Sequence, residues 1–302
     1  MNSAIEAYLA LRRSAGFALI NDAYRLRSYA RFAAERGEVY IRAQSAIAWA
    51  GQACSLAQRD ARLRSVCRFA DFVRLEDPAH ERPPERHFAH HKPRRVPYIY
   101  SDAELERLLN AARALGPPGA LRPYTYSTLI ALLAATGLRV GEALRLRLAE
   151  LTPEALVVHQ TKFRKSRLVL LHESTATGLE RYLRRRRCVA AHDDHVFVND
   201  NGQPLTYPAV HAMFVKVLKA AEIEPVPGKR RPRLHDLRHR FAVRSLQACP
   251  PGPGAVGQHM LALSTYLGHA NVYSTYWYLE ATAELLDGIA KAGETFYQEA
   301  TL

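Results

Sequence analysis

Apolar residues recur every three to four positions along most of the chain, a spacing that predicts helices rather than strands. Ile5, Tyr8, Leu9, Leu11 and Phe17 open the series. Asn21 or Asp22 can cap a second helix, whose apolar face carries Tyr24, Leu26, Tyr29, Phe32 and Ala33, with Gly37 as its stop. A third is expected from about Ser45 through Ile47, Trp49 and Ala50. A fourth carries Leu56, Leu63, Val66, Phe69, Phe72 and Val73. Its other side bears Arg59, Arg62, Arg64 and Arg68, suited to solvent or to phosphate contact.

The pattern then breaks. Residues 82–97 hold four prolines, five basic side chains (Arg82, Arg86, Lys92, Arg94, Arg95) and a single acid, Glu85. Prolines at that density favour an extended, semi-rigid linker, and its charge suits phosphates. Helical periodicity resumes at Ser101-Asp-Ala-Glu104, a capping box. It continues through Tyr124–Ala135, pauses at Gly137 and runs on over Leu138–Leu144. Two short β-prone runs follow, Ala155–His159 and Arg167–Leu171, around a polar turn, Gln160–Ser166, so a hairpin is expected there. Next come a helix over about Ser174–Arg187 whose basic end (Arg184–Arg187) is expected to face solvent or phosphate, a short strand Val196–Val198, and helices to the end.

Length and charge refine this outline. At 302 residues the chain suits two domains, divided here as 1–81, a linker 82–97, and 98–302. Apolar residues at 48% and charged residues at 24% argue against a disordered or collagen-like chain. The longest apolar run, near Leu129–Ala135, is too short to span a bilayer, so no membrane association is expected. The first residues lack a secretory pattern, and the expected location is the cytoplasm, near the bacterial nucleoid. Lys and Arg total 42 against 29 acids, a net charge of +13 that favours polyanionic partners. Cys54, Cys67, Cys188 and Cys249 form no C-x-x-C pair, and His90-His91 has no third ligand in view, so neither zinc nor a redox pair is expected.

Three stretches carry the candidate chemistry. They are Ala135-Thr-Gly-Leu-Arg139-Val-Gly-Glu142, Leu234-His235-Asp-Leu-Arg238-His239, and Tyr266-Leu-Gly-His269 followed by Tyr278 nine residues later. Singly each is weak. Together, in this order, they resemble the tyrosine recombinase (phage integrase) family over nearly the whole chain. The resemblance implies a mainly α fold with a small antiparallel β-sheet in the catalytic domain. It further implies a C-shaped DNA clamp of two domains, a helical SAM-like core-binding domain and a catalytic domain with a C-terminal tail helix. It assigns catalytic roles to Arg139, Lys162, His235, Arg238, His269 and Tyr278, with Glu142 as an acid one helical turn after Arg139. Lys165 stands beside Lys162, and Tyr273 and Tyr276 beside Tyr278, as alternatives.

The implied chemistry is metal- and ATP-independent, with no cofactor. Tyr278 attacks phosphorus to give a 3′-phosphotyrosine, Arg139 and Arg238 hold the non-bridging oxygens, and Lys162 protonates the leaving 5′ oxygen. His235 assists proton transfer at the nucleophile and His269 donates to the phosphate. The implied partners are specific sites on double-stranded DNA and a homo-tetramer in the synaptic complex, or one shared with related recombinases. The amphipathic tail from Glu284 to Leu302 is expected to dock on a neighbouring protomer. The connection through Cys249-Pro-Pro-Gly-Pro-Gly254 is longer than in compact members, and the hairpin turn lacks a frequent glycine. These departures favour movement of a mobile element over chromosome dimer resolution of the Xer type. A type IB topoisomerase and a catalytically silent DNA-binding accessory are the remaining alternatives.

Overall fold

The computed structural model describes residues 1–88, 97–159, 166–189, 193–225, 231–250 and 255–269, together with Asn271, Tyr273, Thr275 and Tyr278. The chain forms two compact units, Met1–Arg94 and Arg95–Leu302. Half of the basic linker segment (89–96), the hairpin turn with Lys162 and Lys165, Tyr276 and the 284–302 tail lie outside the described residues.

Four helices make the first unit: α1 (Asn2–Ser14), α2 (Ile20–Ala34), α3 (Ala43–Gly51) and α4 (Leu56–Val73). Each turns most of its periodic apolar face inward, although Leu11, Phe17, Tyr24 and Leu56, expected on those faces, stand exposed. Leu9, Leu26, Tyr29, Ala46, Leu63, Val66 and Phe69 are buried in one core, where Tyr8 meets Phe69 edge-on and Tyr29 meets Trp49. Asp22 is not the cap of α2. The helix starts at Ile20 behind Leu19, whose backbone is left-handed, and the Asp22 carboxylate accepts hydrogen bonds from Ser65 and Arg68 of α4. A charged side chain in the first turn thus ties two helices rather than closing one. Gly37 does end the segment, at φ +67°, where the amide of Glu38 reaches back to the Ala33 carbonyl.

The arginines of α4 are tethered within their own unit. Arg59 donates to the Ala53 carbonyl at 2.8 Å and Arg64 pairs with Asp60. Arg62 lies over the Trp49 ring, 5.1 Å from its centroid.

The second unit contains α5 (Asp102–Arg113), α6 (Arg122–Thr136), α7 (Val140–Arg145), strands β1 (Ala155–Val158) and β2 (Arg167–Leu170), α8 (Glu173–Arg186), α9 (Tyr207–Ala220), α10 (Leu234–Gln247) and α11 (Ala255–Leu267). It is mainly helical with one small sheet among the described residues. The Ser101 capping box forms as expected, with both of its hydrogen bonds to Glu104. β1 and β2 pair antiparallel, with Ala155 opposite Leu170 and Val158 opposite Arg167. Just beyond the pair, His159 and Ser166 bond across the base of the turn at 3.1 Å. Leu129, Leu133, Ala143, Leu156, Val169, Phe197, Val217 and Leu237 sit in the main core. No helix among the described residues is long and apolar enough to cross a membrane.

Two local expectations need correction. Val196–Val198 is fully buried but belongs to no strand; it is an irregular segment whose groups bond piecemeal, as from the Val196 amide to the Leu146 carbonyl. Nor is the whole basic end of α8 a surface feature. Arg186 is buried and donates to the Asp193 and His195 carbonyls, satisfying backbone acceptors that this irregular segment would otherwise leave unpaired.

Candidate active site

The site is built on helix ends. α6 stops at Gly137 (φ +61°) and α11 at Gly268 (φ +67°), each in the left-handed conformation that glycine adopts without penalty. A helix C-terminus leaves carbonyls without partners and carries partial negative charge. Arginines occupy these positions. Arg238, from the middle of α10, donates Nη1 to the Gly137 carbonyl and Nη2 to the Leu267 carbonyl, both at 2.7 Å. Arg139, preceding α7, donates Nη2 to the Gly268 carbonyl at 3.1 Å. Arg167, the first residue of β2, donates Nε to the Tyr266 carbonyl at 2.8 Å. Three guanidiniums therefore read three successive carbonyls at the end of α11.

Glu142 is the counter-charge. Its side chain is only 2% exposed; Oε1 accepts from Arg139 Nη1 at 2.7 Å and Oε2 from Arg167 Nη2 at 2.8 Å. The Arg139 amide also donates to Oε2, at 3.0 Å, so the carboxylate caps α7 as well. Burial by itself would push its pKa up. The hydrogen bonds and charges of Arg167 and Arg139 outweigh burial and hold it at about 2.

Both glycines are spatially constrained. A Cβ on Gly137 would lie 2.6 Å from Phe241 Cδ1 and 2.9 Å from Leu267 Cδ2, while the Phe241 ring is itself stacked on Tyr266. Gly137→Ala is expected to destabilise the protein by about 1–3 kcal/mol, from left-handed backbone strain plus overpacking. Urea denaturation of the full chain checks this; an unchanged midpoint would contradict the packing described.

Tyr278 belongs to a small core with Ala242, Val243 and Leu246 of α10 and Met260, Leu263 and Leu267 of α11, and is 3% exposed. Its phenolic oxygen lies 3.1 Å from Nδ1 of His239. Burial pushes the phenol's pKa up, partly offset by Arg238 and Arg139. His269 stacks on the Tyr278 ring at 6.3 Å and bonds Thr275 Oγ1 at 2.8 Å through Nδ1. Burial and the neighbouring guanidiniums depress its pKa to about 4. Arg238 is buried beside Arg139, and both effects lower its pKa to about 10, leaving it charged at neutral pH.

His235 and His239 lie one turn apart on α10, with rings edge to face at 4.8 Å. His235 is exposed at the rim. Partial desolvation and the Arg238 and Arg233 charges hold its imidazole below the ordinary value. Asp236, buried, accepts from Arg233 at 2.8 Å and faces His239 Nε2 at 3.8 Å.

The structure thus draws Arg139, His235, Arg238, His269 and Tyr278 into one cluster, while Lys162 lies outside the described residues. Sequence reasoning missed Arg167, His239 and Thr275. His239 carried a signal, since it follows His235 by four positions and so shares its helix face. Arg167 carried a weaker one, the alternation that places it on the inner side of β2 with Val169. Thr275 carried none.

The described "Phage integrase family" model matches residues 99–284. The chain is 35% identical to "Putative integrase/recombinase y4rB" of Sinorhizobium fredii, over 99% of this chain and 98% of that protein. It is 33% identical to the tyrosine recombinase XerD of Xanthomonas axonopodis over 62% of this chain and 60% of XerD. Among solved structures, XerH recombinase bound to its difH substrate matches with a TM-score of 0.67 and 18% identity, covering 97% of this chain and 85% of XerH. The Tn1549 transposon integrase bound to transposon end DNA matches with a TM-score of 0.65 and 17% identity, over 96% and 98%.

Proposed function

Since the chain belongs to the phage integrase family of tyrosine recombinases, we propose that it cuts and rejoins double-stranded DNA at specific sites through a 3′-phosphotyrosine intermediate. One observation carries this reading. Arg139 and Arg238 are pinned to the adjacent carbonyls of Gly268 and Leu267, and both their charges act on the buried Tyr278 phenol. Two fixed guanidiniums beside a phenolic oxygen are what an in-line attack on a phosphodiester needs.

In this reading Tyr278 Oη attacks phosphorus while the P–O5′ bond breaks. Arg139 and Arg238 stabilise the charge growing on the non-bridging oxygens, as planar multiple donors. His269 donates to the phosphate, and Lys162 on the hairpin turn protonates the departing 5′ oxygen. His235 assists proton transfer on the nucleophile's side. The covalent bond conserves the energy of the broken one, so the reaction calls for neither ATP nor metal. A 5′-hydroxyl of the partner strand then reverses the step.

Residues 1–81 serve as the core-binding domain, 82–97 as a basic linker along the phosphates, and 98–302 as the catalytic domain. The working assembly is a tetramer on DNA, in the cytoplasm. Movement of a mobile element is the role favoured, because the integrase/recombinase relative aligns over 99% of the chain and XerD relatives over 62–76%. The test is a nicked duplex built from DNA flanking the gene, incubated with the full chain in EDTA without ATP. A denaturation-resistant protein–DNA adduct is expected. DNA binding without adduct would instead indicate an accessory protein, and relaxation of supercoils without strand exchange a topoisomerase.

A further inference from the structure

We propose that His239, rather than His235, is the residue that takes the proton from Tyr278 as the phenol attacks phosphorus. The inference rests on the recombinase reading above and deepens it. Tyr278 Oη and His239 Nδ1 lie 3.1 Å apart, within hydrogen-bond reach, so the phenolic proton has an acceptor beside it. The opposite ring nitrogen, Nε2, faces the buried Asp236 carboxylate at 3.8 Å. That carboxylate is itself fixed by the Arg233 amide and guanidinium, both at 2.8 Å. A fixed anion on the Nε2 side favours the tautomer with hydrogen on Nε2 and the acceptor lone pair on Nδ1, toward the phenol. The three groups line up as phenol, imidazole and carboxylate.

The buried phenol needs such an acceptor. Its pKa stands above the ordinary value, so at neutral pH it is a protonated, weak nucleophile. The step balances: Oη–P forms, P–O5′ breaks, the phenolic proton moves to Nδ1, and Lys162 supplies the proton to the leaving oxygen. The resulting imidazolium faces the Asp236 carboxylate at 3.8 Å on its Nε2 side.

The same surroundings keep the base silent without substrate. Burial, with His235, Arg233 and Arg238 on the same helix and His269 after α11, presses the His239 pKa down to about 3. A phosphodiester bound by Arg139 and Arg238 brings a negative charge that offsets those guanidiniums and raises the basicity of His239. The base thus gains strength when DNA occupies the site. His235, edge-on to His239 at 4.8 Å, acts through it.

The test is single-turnover adduct formation on the nicked duplex across pH 6 to 9, for the full chain and for His239→Asn. Asparagine keeps a hydrogen-bond acceptor near the Nδ1 position but cannot take a proton. His239→Asn is expected to bind DNA normally and to form adduct about 10²-fold more slowly near pH 7. Its rate should climb about tenfold per pH unit as phenolate becomes the only competent nucleophile, whereas the unsubstituted protein levels off. His239→Asn with the unsubstituted rate and profile would overturn the inference and leave the recombinase reading intact, because a purely structural hydrogen bond is restored by the amide. An unsubstituted protein that forms no adduct would overturn both.

Discussion

Tyr278→Phe is expected to bind DNA with native affinity and to form no covalent adduct. The substitution removes one oxygen from a ring packed by α10 and α11, so the apolar contacts survive. Arg238 keeps its two carbonyl partners, and the loss falls on the hydrogen bond to His239. Stability should drop by about 1 kcal/mol. Arg139→Ala should lower the cleavage rate by about 10²- to 10³-fold, as expected for one donor to a developing oxyanion. Arg238→Ala is a less clean probe, since it also strips the carbonyls that end α6 and α11. Lys162→Ala should be rescued by a 5′-phosphorothiolate, whose thiolate leaves without a proton, and Tyr278→Phe should not. Gel assay of the adduct and peptide mass mapping decide the matter. An adduct on Tyr273 or Tyr276, or one that persists in Tyr278→Phe, would refute the assignment.

Glu142→Ala should cost about 3–5 kcal/mol of stability, because it leaves two partly buried guanidiniums without their counter-charge. Activity should fall with it, since Arg139 is held by that carboxylate. The pH dependence has a definite sign. Glu142 titrates at about 2 in the folded protein against about 4.5 when unfolded, so the unfolded chain binds the extra proton as pH falls. Its contribution, on the order of 3 kcal/mol, is complete above about pH 4.5 and is lost as pH falls through about 2. His239 and His269, held neutral by burial, add a loss in the same direction that begins higher, below about pH 6.5. Urea midpoints of the unsubstituted protein and Glu142→Gln, compared from pH 7 down to 2.5, separate the two. The gap between them should close only below about pH 4.5. A gap that stayed constant would mean that Glu142 is not held ionised by the arginines.

Helix content and order were legible in the chain because burying one face of a helix imposes a period of three to four, and Ser101 and Gly137 marked ends through local backbone chemistry. The β-hairpin was legible from a change of period, but its facing was not. Arg167-Leu-Val-Leu170 offers apolar residues to both sides, and only packing decided that Val169 points in while Leu168 and Leu170 stand 61% and 67% exposed. Val196–Val198 looked like a strand because burial, not pairing, selects β-branched and aromatic residues there. Arg139, Arg238, His269 and Tyr278 were readable as a set from motif and spacing, since each motif is local. Their partners were a matter of tertiary structure. Arg167 reaches Glu142 across 25 positions, Arg238 reaches Gly137 across 101, and His239 meets Tyr278 across 39. Such pairings depend on where α6, α10 and α11 end in space, and no local propensity encodes a distance between chain segments so far apart. The sequence by itself determined the motifs through which the chain resembles a phosphoryl-transfer family. Tertiary structure decided which carbonyls hold the arginines and which histidine stands at the phenol.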